Sequence, residues 1–346
     1  MSLARAIETG DLAQLPSRRD EDWRWTDLRG LLRVLPPPSP PHVGWAAPGP
    51  FAGLAGREVK IVNGRGPGGI TVPAGERHTV ALRFIAAPDA GAHAARLAIE
   101  IEDGAELVLL ESYEGVGEGY VAQVDLRIRL GAGARLERIV MTRDSPDSVS
   151  VSKTEATLGP AAALAQTVLA AGARRQRTET RVSHPGAGGA SVRLDGLYVL
   201  DGKRHADITT VVTHDGVDGA TDQLTKGVAR DQARGVFQGR IVVSPGADRT
   251  DARMGHHALL LSDRAEVDAK PELEIYADDV VCAHGNTVGA LDEEGLFYAK
   301  QRGIPDAEAR AMLTEAFLGE VVDRIGHEGA REVARTWVAK QLGAAS

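Results

Sequence analysis

The sequence predicts a mainly β protein: a β-helix (β-solenoid) core over residues 81–290, capped by an N-terminal helical and mixed segment (1–80) and a C-terminal helical domain (291–346). Three observations carry this reading. Apolar and polar residues alternate through the middle of the chain. Glycine-centred turns recur at a near-constant interval. Aromatic residues make up only 4% of the 346 residues, whereas glycine supplies 40 of them.

Alternation is the signal of a strand, whose successive side chains face opposite sides. It is seen at Leu107, Leu109 and Glu111, at Val124, Leu126, Ile128 and Leu130, at Val149, Val151 and Lys153, at Val192, Leu194 and Gly196, and at Ile208, Thr210 and Val212. Small-residue turns precede strands at Gly104, Gly133, Gly159, Gly189, Gly219 and Gly246, separated by 26 to 30 residues. A repeat of about 28 residues holding two strands is the signature of stacked rungs. Each rung buries its inward side chains against the next, so small and β-branched residues suffice and aromatics are not needed. Alternation alone is equally compatible with a β-sandwich; the interval favours the solenoid.

The ends read differently. Leu3, Ala6 and Ile7 sit at helical spacing, and Glu21, Trp23, Trp25, Leu28, Leu31 and Leu32 predict a second helix with an aromatic face. Pro36–Pro41, reading PPPSPP, stops any helix and predicts a stiff, extended connector. A strand is expected at Glu58–Val62 and a glycine-rich turn at Gly64–Gly69. After Ala290, Glu293 and Glu294 stand in a first helical turn and Lys300 and Arg302 in a last one, an order that suits the helix dipole; Gly303 follows at the C-terminal cap. Pro305 and Asp306 open the next helix, where Leu313, Phe317, Val321 and Ile325 recur every four residues as an apolar stripe. A final short helix is expected around Val333, Trp337, Val338 and Leu342. The helices are expected to shield the ends of the solenoid, where open strands would otherwise invite pairing.

Composition narrows the function classes. A net charge of −8 argues against a nucleic-acid surface, which needs clustered lysine and arginine. A single cysteine excludes an intrachain disulfide framework and a cysteine-only metal site. No run approaches the roughly 18 apolar residues of a membrane span, and the N-terminus has no signal-peptide core. The expectation is a soluble cytoplasmic protein without membrane partners. No phosphate-binding P-loop, G-x-S-x-G or H-E-x-x-H motif occurs, so a non-catalytic protein is expected.

The sharpest chemical feature is Cys282 with His284. In a strand these two face the same side, about 7 Å apart at Cα. Thiolate and imidazole are good ligands for iron or zinc, but two ligands complete no site without a partner chain. The plain alternative is a buried cysteine beside a hydrogen-bonded histidine. Adjacent Asp278 and Asp279 would face opposite sides of a strand and cannot share a proton. Capping a turn, or pairing with Lys270 or Arg302, is expected instead. His256 and His257 are read as structural, and His205 and His214 have no usable spacing.

The stretch Leu259–Gly303 also carries a resemblance. KPELEIYADDVVCAHG followed by TVGALDEEGLFYAKQRGI is similar to the C-terminal core of SufD, in the SufB/SufD family of iron–sulfur cluster assembly subunits, and PSRRDEDWRWTDLRGL (Pro16–Leu31) resembles that family's entry motif. With one cysteine, the SufB branch fits less well than the SufD branch. The resemblance implies a β-helix scaffold that pairs with a SufB-like subunit through the end of the helix and docks a SufC-like ATPase through the C-terminal helices. The docking residues would be Leu313, Phe317 and Val321. It places Cys282 and His284 at the subunit contact, with His284 implicated in assembling a transient iron–sulfur cluster. No cofactor is expected to bind the isolated chain tightly, and a homodimer is expected when it is alone. The rival readings are a β-helix carbohydrate-active enzyme, disfavoured by the few aromatics, and an interaction protein unrelated to clusters.

Overall fold

Strand after strand lies parallel to its neighbour one rung away. The structure is a computed structural model describing residues 2–42, 44–184 and 188–343. The strands are β1 (Arg57–Val62), β2 (Gly69–Val72), β3 (Arg77–Ala86), β4 (Ala92–Ile101), β5 (Glu106–Gly115), β6 (Val121–Leu130), β7 (Arg135–Arg143), β8 (Val149–Leu158) and β9 (Ala163–Ala170). They continue as β10 (Arg175–His184), β11 (Ser191–Leu200), β12 (His205–His214), β13 (Ala220–Ala229), β14 (Arg234–Val243), β15 (Thr250–Leu260), β16 (Glu266–Ile275) and β17 (Val280–Gly289). Odd-numbered strands form one nine-stranded sheet in sequence order, and even-numbered strands form a facing eight-stranded sheet. Two strands per turn make a β-solenoid, as expected. Its strands begin at Arg57, earlier than the expected boundary at 81, because β1 and β2 already pair with β3 and β4.

Between the sheets the side chains stack in columns. Leu107, Leu136, Leu164, Val192, Thr221 and Ala252 lie on successive rungs, and the column ends on Cys282. This lumen is the main core, filled by Leu, Ile, Val and Ala with few aromatics. It also holds charge: Arg138 and Glu111 are both fully buried and joined by two hydrogen bonds of 2.7 and 2.8 Å. Gln166 accepts a third bond from Arg138 and donates to Thr180 across the lumen.

The turns form a column of their own. Gly75, Gly104, Gly133, Ala161, Gly189, Asp218 and Arg249 all adopt positive φ, between 55° and 71°. The backbone N–H of each donates to a carbonyl in the next turn, from Gly75 to Asp103 and onward to Arg249 with Asp279. Three of the six turn glycines singled out from sequence, Gly104, Gly133 and Gly189, therefore line up. The expected line-up fails at the other three: Gly159, Gly219 and Gly246 lie beside this position, which Ala161, Asp218 and Arg249 fill.

The helices lie along the flanks of the stack. Helix α1 (Leu3–Thr9) covers Val121, Val149 and Val151 on the outer face of the even sheet. The expected second helix is instead a 3-10 turn (Glu21–Trp23) and one α turn, α2 (Leu28–Leu31), capped by Asp27. The reason is that this segment works as a strap crossing β10 to β16. The Thr26 hydroxyl donates to Asp207, Arg177 donates to the Asp22 carbonyl and stacks over Trp23 at 4.5 Å, and Lys270 donates to Glu21. The prolines run extended, with Pro38 bridged to Ala92. At the other end, α3 (Glu293–Gln301), α4 (Asp306–Val322) and α5 (Glu328–Leu342) follow β17. Helix α5 has 15 residues and is not short. Helices α4 and α5 and the link between them pack Leu318, Val321, Ile325, Ala334 and Trp337 onto Leu110, Ile139, Leu169 and Leu197 on the outer face of the odd sheet. Among the described residues, no helix is long and apolar enough to cross a membrane.

Candidate functional site at the open end of the solenoid

Strand β17 is the last of its sheet, and β16 ends the other. Both leave an edge of backbone N–H and C=O groups without a further strand. Along β17 nearly every residue is exposed, including Val281 (61%) and Val288 (42%), and Tyr276 just after β16 is 62% exposed. Earlier strands bury their lumen-facing residues under the next rung; this rung has none above it.

Cys282 and His284 stand on this rung, opposite Ala252 and Met254. Both face the lumen side, two residues apart. Cys282 is half-buried beside Phe237, Ile241 and Met254. Burial pushes its thiol above the usual range, only partly offset by a backbone hydrogen bond from Ala252. It is therefore a thiol at neutral pH, and ionising it takes a base or a metal. His284 is exposed and makes no side-chain hydrogen bond among the described residues. No third His, Cys, Asp or Glu joins them among those residues. The pair is two potential donor groups on one strand face, at the open end of the stack.

Two adjacent histidines of β15 pin the edge strand β17. His256 Nδ1 lies 2.7 Å from Asn286 Oδ1, and His257 Nδ1 lies 2.7 Å from Thr287 Oγ1. One contact is on the lumen side of β17 and the other on its outer side. His256 is fully buried, stacked on Phe237 at 4.8 Å, and burial lowers its pKa to about 4. It is thus neutral, and Nδ1–H donates to Asn286. Its Nε2 accepts from the Tyr198 hydroxyl at 3.0 Å. Gly227 and Gly235 make room for Tyr198: a Cβ on either would fall within 2.4 Å of its ring.

The remaining sequence readings divide. Asp278 and Asp279 sit in the bend before β17, and the partners expected for them are engaged elsewhere: Lys270 pairs with Glu21 and Glu272, and Arg302 donates to the Tyr298 hydroxyl. His205 donates to the Trp25 carbonyl under the strap. His214 meets His184 from the neighbouring rung, ring nitrogen to ring nitrogen. Sequence spacing missed that contact because it depends on register between rungs. Of Leu313, Phe317 and Val321, expected at a partner contact, the structure buries Val321 and leaves the other two half-buried. Val321 is fully buried against the solenoid, and Phe317 is half-buried under the Lys226 ammonium at 4.3 Å. Leu313 is also half-buried. The apolar groups these helices expose are Phe297 (65%), Tyr298 (62%) and Met312 (51%).

A parallel two-sheet solenoid with an open, cysteine- and histidine-bearing end and laterally packed terminal helices defines a class of architecture. Residues 84–317 match the family described as SUF system FeS cluster assembly, SufBD core domain, and the chain belongs to that family. It is 31% identical to the iron–sulfur cluster assembly protein SufD of Escherichia coli over 247 residues, covering 70% of this chain and 58% of that protein. A SufBD family protein of Synechocystis is 30% identical over 239 residues, 66% of this chain and 52% of the relative. Against both, the chain spans little more than half of the relative's length. A SufBD family protein of Mycobacterium leprae is 29% identical over 360 residues, 93% of this chain and 89% of that protein.

Proposed function

We propose that this protein is a non-catalytic scaffold subunit for iron–sulfur cluster assembly, acting in the cytoplasm. Its open solenoid end joins a SufB-like subunit, and its C-terminal helices dock a SufC-like ATPase. The observation that carries the reading is the half ligand set, Cys282 and His284, on an unpaired edge strand. An edge of this kind is a template for another chain, and a partner rung would supply the missing donors. Family membership supports the chemistry of the cargo. The cluster is substrate here, held transiently between subunits. Without its partner, the same edge is free to pair with a second copy about a two-fold axis.

Phe297, Tyr298 and Met312 are the residues we assign to the ATPase contact, beside the half-buried Leu313 and Phe317 and in place of the buried Val321. The test is co-expression with SufB-like and SufC-like subunits, followed by mass, iron and sulfide analysis of the purified complex. A heteromeric complex that assembles a cluster, and loses most of it on His284→Ala while remaining assembled, is the expected result. A chain that purifies alone, or a His284→Ala complex with an undiminished cluster, overturns it.

A further inference from the structure

Asn286 stands two residues beyond His284 on the same lumen-side face of β17, and four beyond Cys282. Its side chain is exposed at the open end, yet its orientation is fixed from below. The Tyr198 hydroxyl donates to His256 Nε2, and His256 Nδ1–H donates to Asn286 Oδ1. Phe237 stacked on the imidazole holds the ring in plane, with an interplanar angle of 2°. The first two members of this relay are fully buried. With the Asn286 oxygen turned toward His256, the group turned away from it is the amide NH2, a donor only. That nitrogen makes no hydrogen bond among the described residues.

We propose that Asn286 is a third member of the site, its amide N–H presented beside His284 to donate to an electron-rich sulfur, sulfide or thiolate, of the assembling cluster. This deepens the cluster-assembly reading and rests on it. The chemistry is complementary. Cys282 and His284 offer electron pairs to a metal, whereas Asn286 offers a proton to the atoms that bridge metals. Hydrogen bonds to sulfur are among the principal controls on the potential of a cluster. His256 and Tyr198 act through Asn286 and are positioning residues.

The test uses the full complex, with ferrous iron and sulfide as the probes. Asn286→Asp keeps the oxygen that receives His256 Nδ1–H, and so keeps β17 pinned, but removes the donor and adds a negative charge. The expected result is an assembled complex whose cluster forms several-fold more slowly and has a reduction midpoint shifted to more negative potential. Tyr198→Phe frees His256 to change tautomer and is expected to shift the midpoint in the same direction by less. Unchanged rate and midpoint in Asn286→Asp would overturn the assignment while leaving the cluster-assembly reading intact. Loss of complex formation in Asn286→Asp would also overturn it, making Asn286 a subunit contact. A wild-type complex that forms no cluster would overturn both.

Discussion

Arg138 and Glu111 face each other inside the solenoid, in a two-pronged ion pair that no solvent reaches. Removing one member leaves an uncompensated charge in the lumen, which costs about 3–5 kcal/mol, whereas replacing both with apolar groups is often neutral. Arg138→Met is therefore expected to lower the denaturation midpoint sharply, and Glu111→Leu with Arg138→Met to recover most of the loss. Chemical denaturation of the parent and the two variants checks this. A single variant as stable as the parent would show that the lumen admits water.

The turn column gives substitutions of opposite sign at equivalent places. Ala161 holds φ of 55° where Gly104 and Gly133 hold 67° and 65°. A Cβ in the left-handed region costs roughly 1–2 kcal/mol, partly offset by the unfolded-state entropy of glycine. Ala161→Gly is expected to stabilise by about 0.5 kcal/mol and Gly104→Ala to destabilise by about 1 kcal/mol. Nothing crowds a Cβ at Gly104, so the backbone alone sets the effect. Destabilisation by both substitutions would refute it.

Acid should loosen the stack. Burial lowers the pKa of His93, His205, His214 and His256 from 6.5 to about 4, with Arg65, Arg175 and His184 adding to the first three in turn. The unfolded chain binds protons between those values and the folded chain does not. The stability these groups contribute is therefore present above pH 6.5 and lost as pH falls toward 4, on the order of 2 kcal/mol per histidine. Asp195 works the other way: burial raises it to about 6, so its protonation favours the fold between 6 and 3.8. It offsets one histidine of the four. Urea midpoints at pH 7.5, 5.5 and 4.5 should fall steadily, and a flat profile would rule the histidines out.

The helical face separates docking from folding. Phe297→Ala with Tyr298→Ala should cut co-purification of the SufC-like ATPase at least tenfold, with stability within about 0.5 kcal/mol of the parent. Val321→Ala should cost about 2 kcal/mol instead, because the methyls fill the solenoid flank. Truncation after Gly303 would expose Leu110, Ile139 and Leu197 and is not a clean test of docking. If Phe297 and Tyr298 variants bind the ATPase as the parent does, the contact lies elsewhere.

The architecture was legible because its cause is local. Alternation fixed the strand faces, and a near-constant interval fixed the rungs. The Cys282–His284 pair was legible because both residues share one strand. What stayed hidden depends on register. His184 meets His214, and His256 meets Asn286, only once rungs of unequal length are aligned. The Leu313 stripe was periodic enough to read, but periodicity does not say whether a stripe faces a partner or its own sheet. Trp23 and Trp25 suggested a helix face because their partners, Arg177 and His205, are carbonyl-seeking and ring-stacking groups far away in the chain.

The strap has a consequence in time. Lys270 holds Glu21 across 249 residues of sequence, and Arg177, Arg181 and Arg240 hold Asp22. At the roughly 5–20 residues per second of protein synthesis, the ribosome needs about 12–50 s to make that intervening stretch. The segment translated first is thus among the last to find its place, and Trp23 waits in solvent until the rungs beneath it exist. Burial of Trp23 against Arg177 therefore reports that the rungs beneath the strap have formed.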